Sequence, residues 1–387
     1  MTTIRESIRR LFTQKEPLPV GVYHYQAPPD AEYPYRLHLR LEPGGNGLLI
    51  VNASTVLHLN QTAAEYAYHI VQDTPEDQVA REFSRRYRVS AKQALQDFKD
   101  LKERLITLID VPDLDPVTFL GFERDAPYSG EIAAPYRLDC ALTYRLPEGA
   151  DPAAAPTKRV DRELTTSEWH TILDKAWDAG IPHITFTGGE PTLRDDLPEL
   201  IAHAEALGQV TGLLTDGLRL ADSDYLNTLL QTGLDHLMLV LQTENEAAWA
   251  ALSTVLPKDL HTTVHLTVTP ENAARIPELL GRLAEMGANA LSLSGTTTEV
   301  SEIVQAAGEL AAELGLSLVW DLPVPYSARN PIALETEEDA PLDGAGRAWL
   351  YIEPDGDVLP AQGVNQVLGN LLRDEWGDVW VGDSSSD

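Results

Sequence analysis

Residues 183–201 read HITFTGGEPTLRDDLPELI, and this stretch decides the predicted fold. An apolar strand runs into two glycines, a glutamate and a proline, and a helix then starts near Pro198 and ends at Gly208. The same alternation of strand and helix extends over about residues 134–330. It predicts a parallel sheet with crossover helices, and six or seven such units indicate a (β/α)6 barrel or most of one. In such folds the functional residues lie at the carboxyl ends of the strands.

The chain as a whole is acidic and globular. It has 387 residues, with 29 lysines and arginines against 60 aspartates and glutamates, which gives a net charge of −31. This length predicts two or three domains, and the negative charge disfavours a nucleic acid partner. There is no apolar run of about 18 residues and no signal peptide, so we expect a cytoplasmic protein without a membrane partner. Residues 1–12 place apolar side chains beside arginines, which favours a helix docked on its own protein over one lying on a membrane.

Cys140 is the single cysteine of the chain. One thiol excludes, within one chain, an internal disulfide, a four-cysteine zinc site and an iron–sulfur cluster held by cysteines. Its surroundings, RLDCALTY at residues 137–144, alternate as in a strand. A buried structural thiol is therefore favoured over a nucleophile.

The strand ends resemble those of a known superfamily. The second strand of the alternating region ends in Gly188-Gly189-Glu190-Pro191, and the third, in GLLTDGLRL at residues 212–220, ends in Thr-Asp-Gly. This order is similar to the radical S-adenosylmethionine (radical SAM) superfamily, whose second strand ends in G-G-E-P and whose third ends in T-N-G. The resemblance implies a partial TIM-type barrel of the radical SAM kind. It also implies a vestigial cofactor site at Gly188, Gly189, Glu190 and Pro191, because in the family this turn holds the amino group of the methionine moiety.

The cluster-binding cysteines of that superfamily are missing here. Members carry C-x-x-x-C-x-x-C after the first strand, and those positions are occupied by Leu146, Ala150 and Ala153. No cysteine or histidine lies between Cys140 and Trp169 to replace them. Since radical chemistry in the family starts at an iron held by three thiolates, the sequence predicts no iron–sulfur cluster and at most weak S-adenosylmethionine binding. It accordingly predicts no metal, no catalytic residue and a protein that is not an enzyme.

The N-terminal third predicts a winged-helix-like domain at residues 34–115, after a helix and linker at 1–33. Alternating strands flank a turn at 43–47, and a short third strand follows. Three amphipathic helices come next, the first with a capping box formed by Thr62 and Glu65.

This domain also carries a resemblance. The run LHLNQTAAEYAYHIVQDTPEDQVAREFSRRYRVSAKQALQDFKDLKERLITL, residues 57–108, is similar to the PqqD-like domains that recognise leader peptides of ribosomally made, post-translationally modified peptides (RiPPs). In that family the leader adds as a strand to the sheet edge beside the third helix, a mode called β-augmentation. The resemblance implies a precursor peptide as partner and the peptide-binding residues Leu49, Val51, Phe98, Leu101 and Arg104. A winged helix that only packs on the rest of the chain stays an alternative.

Residues 340–387 resemble a reduced SPASM or twitch extension, which follows the barrel in peptide-modifying radical SAM proteins. The segment WLYIEPDGDVLPAQ, residues 349–362, predicts a β-hairpin with an Asp-Gly turn. Ala361 stands where the family has a cysteine, so the sequence predicts that the auxiliary cluster is absent as well.

The leading hypothesis is therefore a radical SAM/SPASM-like (PqqE-like) pseudoenzyme of α/β fold. It would bind a leader peptide and act as scaffold or partner of an active radical SAM protein, or of another maturation enzyme, in RiPP modification. Two alternatives stay open: a repurposed enzyme or sensor that binds S-adenosylmethionine or another small ligand at the barrel mouth, and a purely structural subunit. His261 and His265 could share one strand face, but satisfied histidines are favoured there over a metal pair.

Overall fold

The structure is a computed structural model that describes residues 18–28, 35–53, 55–111, 132–148, 162–319, 345–364 and 366–380. The chain forms two compact units, residues 1–129 and residues 130–387, and each has its own apolar core. The predicted helix at residues 1–12 lies outside the described residues. None of the helices in the described ranges is long and apolar enough to cross a membrane.

The first unit begins with a four-stranded antiparallel sheet. Its strands pair in the order β1 (Gly21–Gln26), β2 (Arg36–Leu41), β3 (Gly47–Val51) and β4 (Thr55–Leu59). Three helices follow, α1 (Gln61–Val71), α2 (Glu76–Arg86) and α3 (Ala91–Asp110). The domain boundaries at residues 34 and 115 stay predictions.

One face of this sheet packs against α1 and α3. Every second residue of the strands supplies that face, because side chains on a strand point to opposite sides in turn. The buried cluster consists of Leu37, Leu39, Leu41, Leu49, Val51, Leu57, Leu59, Ala64, Ala67, Val71 and Leu105. A second cluster joins the three helices through Tyr66 stacked on Phe83, with ring centroids 3.7 Å apart, and through the buried Phe98.

The start of α1 differs from the sequence prediction. The Asn60 side chain caps the helix, so Thr62 and Glu65 do not form the predicted capping box. Glu65 is buried and accepts hydrogen bonds from Arg86 (2.9 Å) and from the Tyr87 hydroxyl (2.7 Å). Because these two partners hold the Glu65 carboxylate, it does not hydrogen bond to the start of its own helix.

Strand β1 was not predicted from the sequence, because it lies upstream of residue 34. It pairs with β2 along its whole length, from Gly21 opposite Leu41 to Gln26 opposite Arg36. This pairing places β2 inside the described sheet, β3 lies between β2 and β4, and β1 and β4 are therefore its edges.

The second unit is built around a ten-stranded, mostly parallel sheet. Its strands are β5 (Arg137–Thr143), β6 (His183–Gly188), β7 (Val210–Thr215), β8 (His236–Val240), β9 (His261–Val268), β10 (Ala290–Gly295), β11 (Ser317–Leu318), β12 (Trp349–Ile352), β13 (Asp357–Leu359) and β14 (Gly369–Asn370). They pair in the order β11-β10-β9-β8-β7-β6-β5-β12-β13-β14. The helices are α4 (Thr166–Asp178), α5 (Leu197–Leu207), α6 (Ser223–Gln231), α7 (Glu246–Val255), α8 (Ile276–Glu285), α9 (Ser301–Glu313) and the short α10 (Trp376–Val379). Parallel pairing from β5 to β11 confirms the α/β fold class.

The two faces of this sheet differ in chemistry. On β5, Leu138, Cys140 and Leu142 belong to the apolar core that the helices also supply. Asp139 and Thr143 alternate with them and therefore point to the opposite, inner face. Burial raises the pKa of the Cys140 thiol well above its usual value, as expected for a structural cysteine.

The C-terminal strands continue the same sheet. β12 pairs in parallel with β5, and β12 and β13 form the predicted hairpin around Asp355 and Gly356. The boundaries at 134–330 and 340–387 and the SPASM-like character of this tail stay predictions.

Candidate functional site

Three strand ends meet at the carboxyl edge of the second sheet. β5, β6 and β7 are parallel neighbours, so their carboxyl ends lie side by side. The segments that leave them are Thr143 to Arg145, Gly188 to Pro191 and Thr215 to Gly217. This edge holds all four residues of the predicted cofactor turn.

Gly188 and Gly189 allow another segment of the same chain to approach closely. Their backbone packs on the segment after β5, where the Gly189 amide donates to the Thr143 carbonyl oxygen at 2.7 Å. A Cβ on Gly188 would lie 2.1 Å from that oxygen, and one on Gly189 would lie 2.3 Å from the Arg145 carbonyl oxygen. Gly188 also has a φ of +135°, which L-residues rarely adopt. Glycine is therefore required here for packing within the chain.

The Glu190 carboxylate ties β6 to β7. It is 2% exposed and accepts hydrogen bonds from the Thr192 amide (3.0 Å) and hydroxyl (2.5 Å). The Thr215 hydroxyl (2.7 Å) and the Asp216 amide (2.8 Å) donate to it as well. Four donors from the chain itself fix this side chain in one place.

Asp216 places a second carboxyl group beside Glu190. Burial raises the pKa of Glu190, and the charge of Asp216 raises it further. Burial also raises the pKa of Asp216. Two carboxyl groups so close together resist joint ionisation, and they form a negatively charged or proton-sharing pair at the strand ends.

We expect Asp216→Asn to stabilise the protein more near pH 8 than near pH 5. A carboxyl group whose pKa is raised by folding costs stability as the pH rises above its unfolded pKa, and removal of the neighbouring charge lowers this cost. Asparagine keeps the oxygen that accepts from the Leu218 amide at 2.9 Å. The urea midpoints of both proteins at the two pH values measure the effect. The same shift at both would contradict it.

Arg194 holds the turn at Gly188 to Pro191 to its surroundings. Its buried guanidinium donates to the carbonyl oxygens of Leu142 (3.2 Å) and Leu164 (2.9 Å). It also makes a two-pronged contact with Asp196 at 2.8 and 2.6 Å. The turn is thus held to both β5 and the segment before α4.

The inner face of the sheet carries buried histidines with partners. His265 on β9 is fully buried, and its two ring nitrogens each lie 3.0 Å from a serine hydroxyl, Ser292 and Ser294 on β10. His183 and His236 approach each other with 2.6 Å between their Nε2 atoms. His261 is exposed at the start of β9. The sequence analysis favoured a histidine with hydrogen-bond partners over a metal ligand, and His265 has a partner at both ring nitrogens.

We expect acid to destabilise the protein through these histidines. Burial lowers the pKa of His265 to about 4, and burial together with His261 lowers the pKa of His236 to about 3. Each ring is neutral when folded and binds a proton only when unfolded, so stability is full above the unfolded pKa and falls as the pH drops below about 6.5. At pH 5 the loss is on the order of 2 kcal/mol per ring.

Urea unfolding at pH 7 and pH 5 measures this loss. His265→Gln is the comparison, because glutamine can hydrogen bond to both serines but does not titrate. The variant should lose less stability than the wild type between the two pH values. An equal loss in both proteins would contradict the assignment to His265.

The predicted peptide-binding residues occupy three environments in the first unit. Leu49 and Val51 lie in β3 and are buried, with 1% and 4% of their surface exposed, and Phe98 is buried between helices. Leu101 is half-buried and Arg104 is exposed, both on α3. The sequence places the candidate edge within residues 35–41 and 48–57. Because β2 and β3 are each paired on both sides, an added strand has no room there, and β4 is the described edge strand of that range, so the peptide-binding residues stay a prediction.

The hydrogen-bond alternation identifies the main-chain groups at that edge. The Asn52 amide donates to the Arg36 carbonyl oxygen at 3.0 Å, which marks a hydrogen-bonded pair between β2 and β3. Such pairs recur at every second residue of an antiparallel ladder. With the observed registers, the main-chain groups of Leu49 and Val51 therefore point to β4, and those of Val56 point away from β3.

Sequence reasoning missed Asp216, the Arg194 clamp and Val56. The sequence did contain a signal for Asp216, because this aspartate stands at the end of the third strand, where the superfamily that the chain resembles has the asparagine of T-N-G. Arg194 could have been suspected as a lone arginine within a buried turn. Val56 depends on the register of the sheet, for which the chain has no local signal.

A protein-family model matches the part of the chain that contains these strand ends. The family model described as "Radical SAM superfamily" matches residues 140–258, which run from the middle of β5 to just beyond α7 and include the three strand ends. A PqqA peptide cyclase of Xanthomonas oryzae pv. oryzae is 29% identical over 278 residues, covering 62% of this chain and 72% of the relative. A PqqA peptide cyclase of Streptomyces rochei is 28% identical over 285 residues, covering 66% and 78%.

Solved structures share the fold. Streptococcus suis SuiB bound to S-adenosylmethionine matches with a TM-score of 0.59 and 16% identity, over 90% of this chain and 87% of SuiB. SuiB bound to the precursor peptide SuiA matches with a TM-score of 0.59 and 17% identity, over 89% and 87%. At this identity the likeness concerns the fold.

These findings correct two expectations. The prediction that the protein is not an enzyme is wrong, because its relatives are peptide cyclases. The prediction of no cofactor is wrong as well, since the superfamily implies S-adenosylmethionine and an iron–sulfur cluster. Pseudoenzyme status is likewise unsupported.

The donor atoms of this chain nevertheless do not fit a cluster held by three thiolates. The sequence contains one cysteine, Cys140, and its side chain is fully buried in the apolar core behind β5. Leu146 is described after β5, and the positions of Ala150 and Ala153 lie outside the described residues. The G-G-E-P turn is complete at Gly188 to Pro191, and its role as a cofactor site stays a prediction.

The turn at Gly188 to Pro191, its buried Glu190 and the strands around it thus lie in the region that matches the radical SAM superfamily. The matched region spans the strands that carry them. Residues 140–258 form a radical SAM superfamily domain, and the chain is homologous to the PqqA peptide cyclases.

Proposed function

We propose that this protein binds a ribosomally made precursor peptide through its N-terminal unit and takes part in modifying that peptide. The relatives are named for a reaction on a peptide, PqqA. SuiB, which shares the fold with a TM-score of 0.59, has been crystallised with its precursor peptide SuiA. Both comparisons support a peptide as the substrate class.

The observation that carries the proposal is the edge strand β4 beside a three-helix bundle. Within the described residues β4 pairs only with β3, and the Val56 amide and carbonyl point away from that partner. A peptide can therefore add as a further strand and gain main-chain hydrogen bonds at this edge. Leu57 and Leu59 anchor the strand in the same apolar cluster as Leu105 of α3, which makes the edge a fixed template.

Helix α3 supplies the side chains that could read the peptide. Leu101 is half-buried and packs on both apolar clusters of the unit. Arg104 is exposed one turn further along the helix. Both side chains lie on the helix whose Leu105 shares the apolar cluster of Leu57 and Leu59, and we expect an apolar contact and a cation there to add sequence preference to the main-chain hydrogen bonds of the edge.

Isothermal titration of the full-length chain with precursor peptides encoded beside its gene tests this proposal. We expect one of them to bind through its leader segment, and a peptide of the same composition in scrambled order to bind much more weakly. Mass spectrometry of the bound peptide after incubation with S-adenosylmethionine and a reductant then tests for modification. If no encoded precursor binds, the proposal fails.

The carboxyl-end turn supports a second, compatible role as a small-ligand site. Gly188 to Pro191 are in place, and the paired carboxyl groups of Glu190 and Asp216 lie next to them. Equilibrium dialysis with S-adenosylmethionine tests this role, and no retention of the ligand would exclude it. An interaction with a second maturation enzyme stays a prediction.

A further inference from the structure

The first unit has a cavity of about 320 Å³ between α1 and α2. Its wall includes the ring of His69 on α1 and the ring of Phe83 on α2, and Leu18 borders it from the segment before β1. An open cavity beside aromatic and apolar side chains forgoes the packing contacts that would otherwise be made there. A side chain that enters this cavity would therefore stabilise the unit.

The rim of the cavity carries charges that the unit itself does not fully use. Glu65 also lines it, but Arg86 holds that carboxylate at 2.9 Å. Glu82 is 45% exposed and lies 3.5 Å from His69, and burial lowers the pKa of His69, so the ring is neutral near pH 7. Arg85 is exposed and forms no ion pair with a described residue. The rim thus offers one carboxylate and one guanidinium to an occupant.

The position of Leu18 indicates which part of the chain can reach this cavity. The described part of the chain begins at Leu18, and residues 1–17 precede it directly in the sequence. A segment tethered at the rim acts at an effective concentration on the order of 1 mM, which favours it over a separate molecule. Six residue steps separate Phe12 from Leu18, and at about 3.5 Å per step they span the cavity.

The sequence of this segment complements the cavity. Leu11 and Phe12 are adjacent large apolar residues, preceded by Arg9 and Arg10 and followed by Glu16. An apolar pair between cations and an anion matches an aromatic wall whose rim carries an anion and a cation. Exposed ion pairs contribute little affinity, but they select one orientation of the segment.

We propose that Leu11 and Phe12 dock in the cavity between α1 and α2, with the flanking charges on its rim. The docked segment would join α1 to α2. Phe83 of the cavity wall also belongs to the cluster that contains Phe98 of α3, the helix beside β4. The segment would therefore support the packing of all three helices.

Hydrogen–deuterium exchange of the full-length chain tests the proposal with Phe12→Asp. We expect exchange in Gln61–Val71 and Glu76–Arg86 to become about tenfold faster or more, because the variant loses a buried aromatic contact. Thr13→Asp is the matched control, since it adds the same charge at the next residue and removes no large apolar side chain. It should leave exchange in both helices unchanged.

Cross-linking gives a second, independent measurement. Cys140 is the single cysteine and is fully buried, so an engineered pair supplies the accessible thiols. The Phe12→Cys/Glu82→Cys variant should form a disulfide about tenfold faster than Phe12→Cys/Lys92→Cys, whose second thiol lies on α3 outside the cavity.

Equal rates in the two cysteine pairs, or equal exchange in Phe12→Asp and Thr13→Asp, would overturn the proposal. Protection of α1 and α2 that appears only when a precursor peptide is added would also overturn it, because the cavity would then belong to the peptide.

Discussion

Replacing Gly188 by alanine is expected to lower the free energy of unfolding by roughly 3–5 kcal/mol. The new Cβ would lie 2.1 Å from the Thr143 carbonyl oxygen, which is backbone and has no rotamer to change. The φ of +135° adds strain at the same residue. Either β5 or the turn at Gly188 to Pro191 must shift, and this shift disrupts the hydrogen bonds by which Glu190 joins β6 to β7.

Urea unfolding followed by tryptophan fluorescence measures this loss. Gly281→Ala is the control, because Gly281 lies within α8 and a Cβ there meets nothing within 4 Å. That variant should gain up to about 1 kcal/mol from its better helix propensity. A loss for Gly188→Ala no larger than about 1 kcal/mol would show that the two segments are not in contact as described.

Val56→Pro is expected to weaken precursor-peptide binding by about tenfold or more and to leave the fold intact. The Val56 amide points away from β3, so its loss removes no hydrogen bond from the observed ladder. Proline is tolerated in edge strands where the missing donor faces outward. It does, however, remove a donor from the edge where a peptide would pair, and its ring blocks the approach of a new strand.

Val22→Pro is the matched control at the other edge of the sheet. By the same alternation, the Val22 main chain points away from β2. This variant should bind the peptide within about twofold of the wild type. Circular dichroism confirms that both variants are folded. Equal weakening by the two prolines would place the peptide elsewhere.

Local patterns allowed much of the second unit to be predicted. The alternation of strands and helices gave the parallel sheet, because each element buries an apolar face of its own period. Residues 165–168, Thr-Thr-Ser-Glu, also have the pattern of a capping box, and in the structure the Thr165 amide donates to the Glu168 carboxylate at 2.9 Å at the start of α4, where both partners belong to one helix turn. The turn at Gly188 to Pro191 was predicted from its resemblance to the G-G-E-P turn of the radical SAM superfamily, and the close backbone approach in the structure explains why glycine is needed there.

Features that depend on distant partners were not predictable. The local sequence predicts that Glu65 caps its helix, but in the folded unit its carboxylate accepts hydrogen bonds from Arg86 and Tyr87 instead. The local sequence around Leu49 and Val51 does not show whether their strand is at an edge, and only the pairing of β3 with β2 and with β4 shows that it is an interior strand. The stacking of His170 on His203, with ring centroids 4.0 Å apart, likewise depends on how α4 and α5 lie beside each other.

The sequence analysis was wrong in predicting that the protein is not an enzyme, because it relied on the number of cysteines. A count of cysteines describes which ligands one chain offers, and it does not by itself decide whether a protein belongs to a catalytic lineage. Relatives named as peptide cyclases provided that information.

Hydrogen–deuterium exchange of the full-length chain, with and without its precursor peptide, tests the central claim most directly. Peptide binding at the edge of β4 predicts slower exchange of Thr55–Leu59 and of the α3 segment around Leu101, with Gly21–Gln26 unchanged. Slower exchange of Gly21–Gln26 with Thr55–Leu59 unaffected, or no change anywhere in the first unit under saturating peptide, would contradict it.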